Sequence, residues 1–152
     1  MSYDPATVAN YYIEKYAHQD KLTPMKLIKL IYIANGFYMA LSGGDDLINE
    51  EAEAWDYGPV IPSLYHELKR YGSGNIDNPV FDWGINKELT DEDRDFLDLI
   101  WRKYGHYTGI QLSALTHQVG TPWSDTYAKG HYNKAIPKKL ILDHYNDLIF
   151  GA

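Results

Sequence analysis

Thr23-Pro24-Met25-Lys26-Leu27-Ile28-Lys29-Leu30-Ile31-Tyr32, running on through Ile33-Ala34-Asn35-Gly36-Phe37-Tyr38-Met39-Ala40-Leu41-Ser42 to Gly43-Gly44, decides the reading of the fold. Thr-Pro opens a helix, because threonine caps it and proline needs no hydrogen-bond acceptor in the first turn. Gly-Gly closes it. Leu27, Leu30, Ile31, Ala34, Tyr38 and Leu41 share one face, and Met25, Ile28, Tyr32 and Met39 carry the apolar surface around the side. A helix apolar on more than one side is covered by neighbours all round. It is therefore the expected centre of the core. The apolar run from Leu27 to Leu41 is broken by Lys29 and Asn35 and is too short to cross a bilayer.

Outward from this helix the punctuation continues. Asp4-Pro5 opens a helix to about His18, with Val8, Tyr12 and Tyr16 four residues apart. Pro62 opens another, carrying Leu64, Tyr65, Leu68 and Tyr71 up to Gly72. Gly72 to Glu88, rich in Gly, Asn, Asp and Pro, reads as a long irregular connection. Thr90 with Asp93 and Thr108 with Gln111 mark two further N-caps. The first leads through Phe96, Leu97, Ile100, Trp101 and Tyr104 to Gly105, the second through Leu112 and Leu115. Thr121-Pro122 starts a short helical turn. Pro137 opens a last helix with Leu140, Ile141, His144, Tyr145 and Leu148 on one face. Leu47 to Trp55 holds a segment able to pair as a strand. The expected architecture is mainly all-α, a compact multi-helix domain over residues 1–152 around a central hydrophobic helix, with one short β-hairpin.

Composition narrows the function. The chain has 152 residues, 45% hydrophobic and 23% charged, enough to bury a sizeable core. Fourteen tyrosines and four tryptophans are an unusual load, and aromatics left at the surface favour protein contacts. A formal charge of −7 argues against a nucleic-acid partner, which calls for a basic face. Lys26 with Lys29, Lys69 with Arg70, and Lys138 with Lys139 read as small basic spots diluted by 21 acids. Such a surface suits a basic protein partner, or simply keeps the chain in solution. With no cysteine, disulfides and thiolate metal sites are excluded. Met1-Ser2-Tyr3-Asp4-Pro5 lacks the regions of a signal peptide, so a soluble, cytoplasmic protein without a membrane partner is expected.

Glu51-Ala52-Glu53-Ala54-Trp55-Asp56-Tyr57-Gly58-Pro59-Val60-Ile61-Pro62 forms a rigid corner. Pro59 fixes its own φ and pushes Gly58 towards extended geometry, with Trp55 and Tyr57 on either side. No side chain in it is a nucleophile, so it points to shape and not to catalysis. Elsewhere the six histidines do not pair at metal-binding spacing, and neither a catalytic residue, a metal ligand nor a cofactor motif emerges. Ser124-Asp125 near His117 lacks a nucleophile elbow, and Gly72-Ser73-Gly74 lacks the lysine of a P-loop. Thr116 is placed to bond back to a helical carbonyl, and the His117 imidazole to tie two backbone segments together. Two readings of Trp55, Tyr57, Gly58, Pro59, His117 and Trp123 stand side by side: a structural signature that holds helices against the corner, or a partner-binding groove.

Three blocks carry a resemblance. Leu22-Thr23-Pro24-Met25-Lys26-Leu27-Ile28-Lys29-Leu30-Ile31-Tyr32, Ala54-Trp55-Asp56-Tyr57-Gly58-Pro59-Val60-Ile61-Pro62, and Leu115-Thr116-His117 followed by Pro122-Trp123 resemble the Panacea domain family of phage-associated and SocA-like antitoxins, in that family's order. The resemblance implies a mostly helical, non-enzymatic protein of a toxin-antitoxin system. Its partner would be a cognate protein toxin encoded by the adjacent gene and neutralised by direct binding. The SocA-like members also imply a proteolytic adaptor that delivers a bound protein to an ATP-dependent protease, and an uncharacterised enzyme is the third class. Surplus aromatics in loops and at helix ends mark the expected partner surface: Trp83 in the long connection, Tyr104 and Tyr107 around Gly105, and Tyr71.

Overall fold

The computed structural model describes residues 2–80, 87–127 and 133–151. Among these, seven α-helices and three short strands follow in the order α1 (Pro5–Tyr16), α2 (Pro24–Ser42), β1 (Glu53–Trp55), β2 (Gly58–Val60), α3 (Pro62–Leu68), α4 (Asp91–Tyr104), α5 (Gly109–Thr116), α6 (Pro122–Thr126), β3 (Lys134–Ala135) and α7 (Lys138–Phe150). A single 3-10 turn, Lys69–Tyr71, extends α3. The mainly α-helical expectation holds.

Local chemistry sets the helix starts. Thr23, Thr90, Thr108 and Thr121 each sit at an N-cap in extended geometry, and each hydroxyl accepts the backbone N–H three residues on. At Thr108 the return bond from the backbone N–H to the Gln111 side chain completes a capping box. Helix α4 carries Asp91, Glu92 and Asp93 in its first turn and Arg102 and Lys103 in its last, matching the helix dipole at both ends. Gly43 ends α2 in the left-handed region.

Helix α2 is the hub, packed against α5 and α7 and, less extensively, α1, α3 and α4. Its residues from Leu27 to Ala34 are buried without interruption. The approach of α7 is close: a Cβ added to Gly36 would lie 2.3 Å from the Tyr145 ring. Across the same contact Phe37 and Tyr145 meet edge-on with ring centres 4.8 Å apart. Between α1 and α4, Tyr16 stacks on Trp101 at 4.2 Å, and Asp98 accepts from Tyr11, Tyr16 and Lys15.

The sheet departs from the expectation of a lone hairpin. Strand β1 pairs antiparallel with β2, Trp55 opposite Gly58, and on its other edge with β3, Ala54 opposite Lys134. Strand order is β2-β1-β3. Further back, Tyr3 and Ile48 form an isolated parallel bridge. Three helix readings also shift. Helix α1 ends at Tyr16, short of His18. Leu41 and Leu148, placed by periodicity on apolar faces, are exposed, while the adjacent Ala40 and Ile149 pack inward in the same last turns. Lys26 and Lys29 are no surface spots: each is 3% exposed.

Candidate partner-binding site

Four side chains hold the β1–β2 hairpin. From α5, the Ser113 hydroxyl donates to the Tyr57 carbonyl at 2.6 Å. From α6, the Trp123 indole N–H donates to the Trp55 carbonyl at 2.6 Å. Just past α6, the Tyr127 hydroxyl donates to the Asp56 carboxylate at 2.6 Å. From α2, the Lys29 ammonium donates to the Pro59 carbonyl at 2.7 Å. Three of these donors satisfy backbone carbonyls of the hairpin and the fourth a side-chain carboxylate. The tip is thus a fixed protrusion, and its Tyr57 side chain stands 73% exposed.

Gly58 takes φ +114°, a region that L-residues with a side chain avoid, and not the ordinary extended geometry that Pro59 alone would favour. Space is not the limit there. A Cβ would meet Lys29 and Thr116 at 3.4–3.5 Å, ordinary contact distances. Thr116 does bond back to its helix, donating to the Leu112 carbonyl at 2.8 Å. His117 behaves differently from the expected tie between segments: its Nδ1 contacts the Ser113 carbonyl of its own helix. Its ring meets Trp123 edge-on at 5.3 Å, and Trp123 stacks on Tyr127 at 4.6 Å. Trp123 and Ser113 therefore make the cross-links assigned to the histidine.

Two buried lysines lie one helical turn apart on α2, and their surroundings differ. The Lys26 ammonium donates to the Gly105 carbonyl at 2.5 Å, pairs with Asp20 at 3.5 Å and sits 4.8 Å above the Trp101 ring. Among the described residues Lys29 has the Pro59 carbonyl and no carboxylate. Burial without a counter-charge pushes its ammonium down from 10.5 to about 7.

Three clefts open around these groups. The hairpin cleft, about 530 Å³, is lined by Met25, Ile28, Lys29, Trp55, Val60 and Tyr65 among others. It meets a second cleft of about 540 Å³, over Lys26, His106 and Ile110, at Met25 and Gly72. Tyr107 joins this second cleft to a third of about 360 Å³ between α2, α5 and α7, lined by Tyr32, Tyr104 and Tyr145. The Tyr32 hydroxyl is buried there without a hydrogen-bond partner among the described residues.

The segments that converge on the hairpin are those of one known family. Residues 27–124 match the family described as "Antitoxin SocA-like, Panacea domain". The chain belongs to that family. It is also 32% identical over 139 residues to Antitoxin SocA of Caulobacter vibrioides (strain NA1000 / CB15N), covering 86% of this chain and 73% of the relative. No solved structure matches it.

Within this Panacea chain the expected partner residues are divided. Tyr104 and Tyr107 share the third cleft, their rings 6.2 Å apart, with Tyr104 also against Phe37 at 5.9 Å. Tyr71 stands apart from them on the 3-10 turn, its ring 5.0 Å from the Arg70 guanidinium. Trp83 lies outside the described residues. Lys29, expected at the surface, is buried and lines the hairpin cleft. Its signal is present in the sequence: a lysine inside a helix that is apolar on every side. No helix among the described residues is long and apolar enough to cross a membrane, and no group of side chains among them is arranged to hold a metal ion.

Proposed function

We propose that this protein is the antitoxin of a toxin-antitoxin pair and neutralises a cognate protein toxin, encoded by the neighbouring gene, by binding it directly and without catalysis. The observation that carries this reading is membership of the SocA-like Panacea family over residues 27–124. The geometry supports it. A braced hairpin presents Tyr57 to solvent beside connected clefts with apolar walls, the concave and partly aromatic surface that protein partners use. Tyr107 lies within this band, Tyr104 at its end, and Gly72, the residue after Tyr71, at its middle. Gly58 and Pro59 shape the hairpin, Ser113 and Trp123 hold it with His117 packed against the Trp123 ring, and Tyr57 serves the partner.

Co-expression tests the reading. The neighbouring gene, induced alone, is expected to arrest growth, and this gene in trans to restore it. Rescue that persists in a strain lacking the ATP-dependent proteases marks direct neutralisation. Rescue lost in that strain marks delivery for degradation instead. A harmless neighbour, or arrest that this gene does not relieve, contradicts the antitoxin reading.

A further inference from the structure

The contrast between Lys26 and Lys29 extends to the chemistry of the partner. An ammonium has three donors and in a protein interior calls for acceptors and a counter-charge. Lys26 has both. Lys29, equally buried one turn later, has a single neutral acceptor among the described residues and lines a cleft that solvent can enter. The walls are apolar, from Met25, Ile28, Trp55 and Val60. Among the described residues the one acid lining the cleft is Asp56, which accepts the Tyr127 hydroxyl at 2.6 Å. Lys69, an exposed residue, adds a second positive charge to the lining. A protein of net charge −7 thus has a locally cationic, apolar-walled recess beside the exposed Tyr57.

We propose that the hairpin cleft receives a segment of the partner toxin that carries a carboxylate next to a large apolar side chain, the carboxylate seated against Lys29 and the apolar group against Met25, Ile28 and Val60. This rests on the antitoxin reading above. The incoming acid supplies the counter-charge that the fold withholds, so the buried ammonium is stabilised only in the complex. The cleft therefore discriminates. A segment without the acid leaves Lys29 unpaired, and an acid without the apolar neighbour leaves the walls wet. A second copy of this chain is disfavoured as occupant because two chains of net charge −7 repel each other on approach.

The test uses the purified toxin and three forms of this protein. Lys29→Met removes the charge and keeps an unbranched apolar side chain. Lys69→Glu reverses the rim charge at an exposed position that does not threaten folding. Titration calorimetry is expected to show binding weakened about tenfold or more by Lys29→Met at an unchanged or raised melting temperature. Lys69→Glu is expected to weaken it also, chiefly by slowing association. Short overlapping peptides tiling the toxin are expected to yield a binder with an acid beside a large apolar residue. Its acid-to-amide variant then binds wild type and Lys29→Met equally weakly. Wild-type affinity in both variants, or a best peptide with no acid, overturns the cleft assignment while leaving the antitoxin reading intact. Failure of the wild-type protein to bind the toxin at all overturns both.

Discussion

Replacing Lys29 by methionine is expected to stabilise the free protein near neutral pH, and to do so less as the pH rises. Moving a buried ammonium from 10.5 to about 7 corresponds to roughly 4 kcal/mol of lost stability at pH 7, at about 1.4 kcal/mol for each pH unit. Against this stands the lost hydrogen bond to Pro59, whose carbonyl is left without its donor, about 1–2 kcal/mol. The variant should therefore be more stable than wild type by about 2 kcal/mol at pH 7. The sign of the pH effect follows from the depressed value. Between about 7 and 10.5 the unfolded chain keeps the proton that the folded chain has lost, so wild-type stability climbs with pH. By pH 9 the wild type should recover about 2 kcal/mol and the difference should nearly vanish. Below about 7 both states are charged and the gap should level off. Urea unfolding of both proteins from about pH 6 to about pH 9 measures this directly. Parallel stability profiles, or a methionine variant less stable at every pH, would refute the reasoning, because either result means that the ammonium has a counter-charge in the free protein.

Gly58→Ala should cost about 1–3 kcal/mol through the positive φ alone, since its Cβ meets nothing closer than 3.4 Å; denaturant unfolding with toxin binding measured alongside should show both fall together. Gly36→Ala places a methyl 2.3 Å from the Tyr145 ring and should destabilise by about 1–3 kcal/mol or more, read as a lowered melting temperature, whereas a neutral outcome would mean that α7 docks elsewhere. Asp98→Ala leaves the Tyr11 and Tyr16 hydroxyls without their acceptor and should cost about 1–3 kcal/mol at neutral pH. Burial raises the Asp98 carboxyl, but the donors Lys15, Tyr16 and Tyr11 outweigh it and hold it below the usual carboxylate range. Its contribution is therefore present above about pH 4 and should fade in acid, where variant and wild type should converge.

The helices were legible because their ends are local. Threonine caps, prolines in first turns and the Gly43 stop act within a few residues, and each does in space what its chemistry requires. Strand β3 was not legible. Lys134–Ala135 is two residues with no alternation, and its pairing with β1 depends on a partner some eighty positions away. The site was legible in part. Trp55, Gly58, Pro59 and Trp123 announce a corner by residue type, and the corner exists. Lys26 and Lys29 were read as surface charges because lysine is seldom buried. What buries them is tertiary: the Gly105 carbonyl and Asp20 converge on one, and the hairpin turns its Pro59 carbonyl towards the other. Tyr71 fails to join Tyr104 and Tyr107 for a similar reason, since nearness to a glycine says nothing about which cleft a ring faces.

The most direct measurement is titration calorimetry of the purified neighbouring gene product, in inactivated form if needed, into this protein with no protease present. Direct neutralisation calls for saturable binding with a dissociation constant at or below about 1 μM, roughly −8 kcal/mol or stronger. Absence of heat at concentrations well above that range, together with growth rescue in cells, would contradict neutralisation by direct binding.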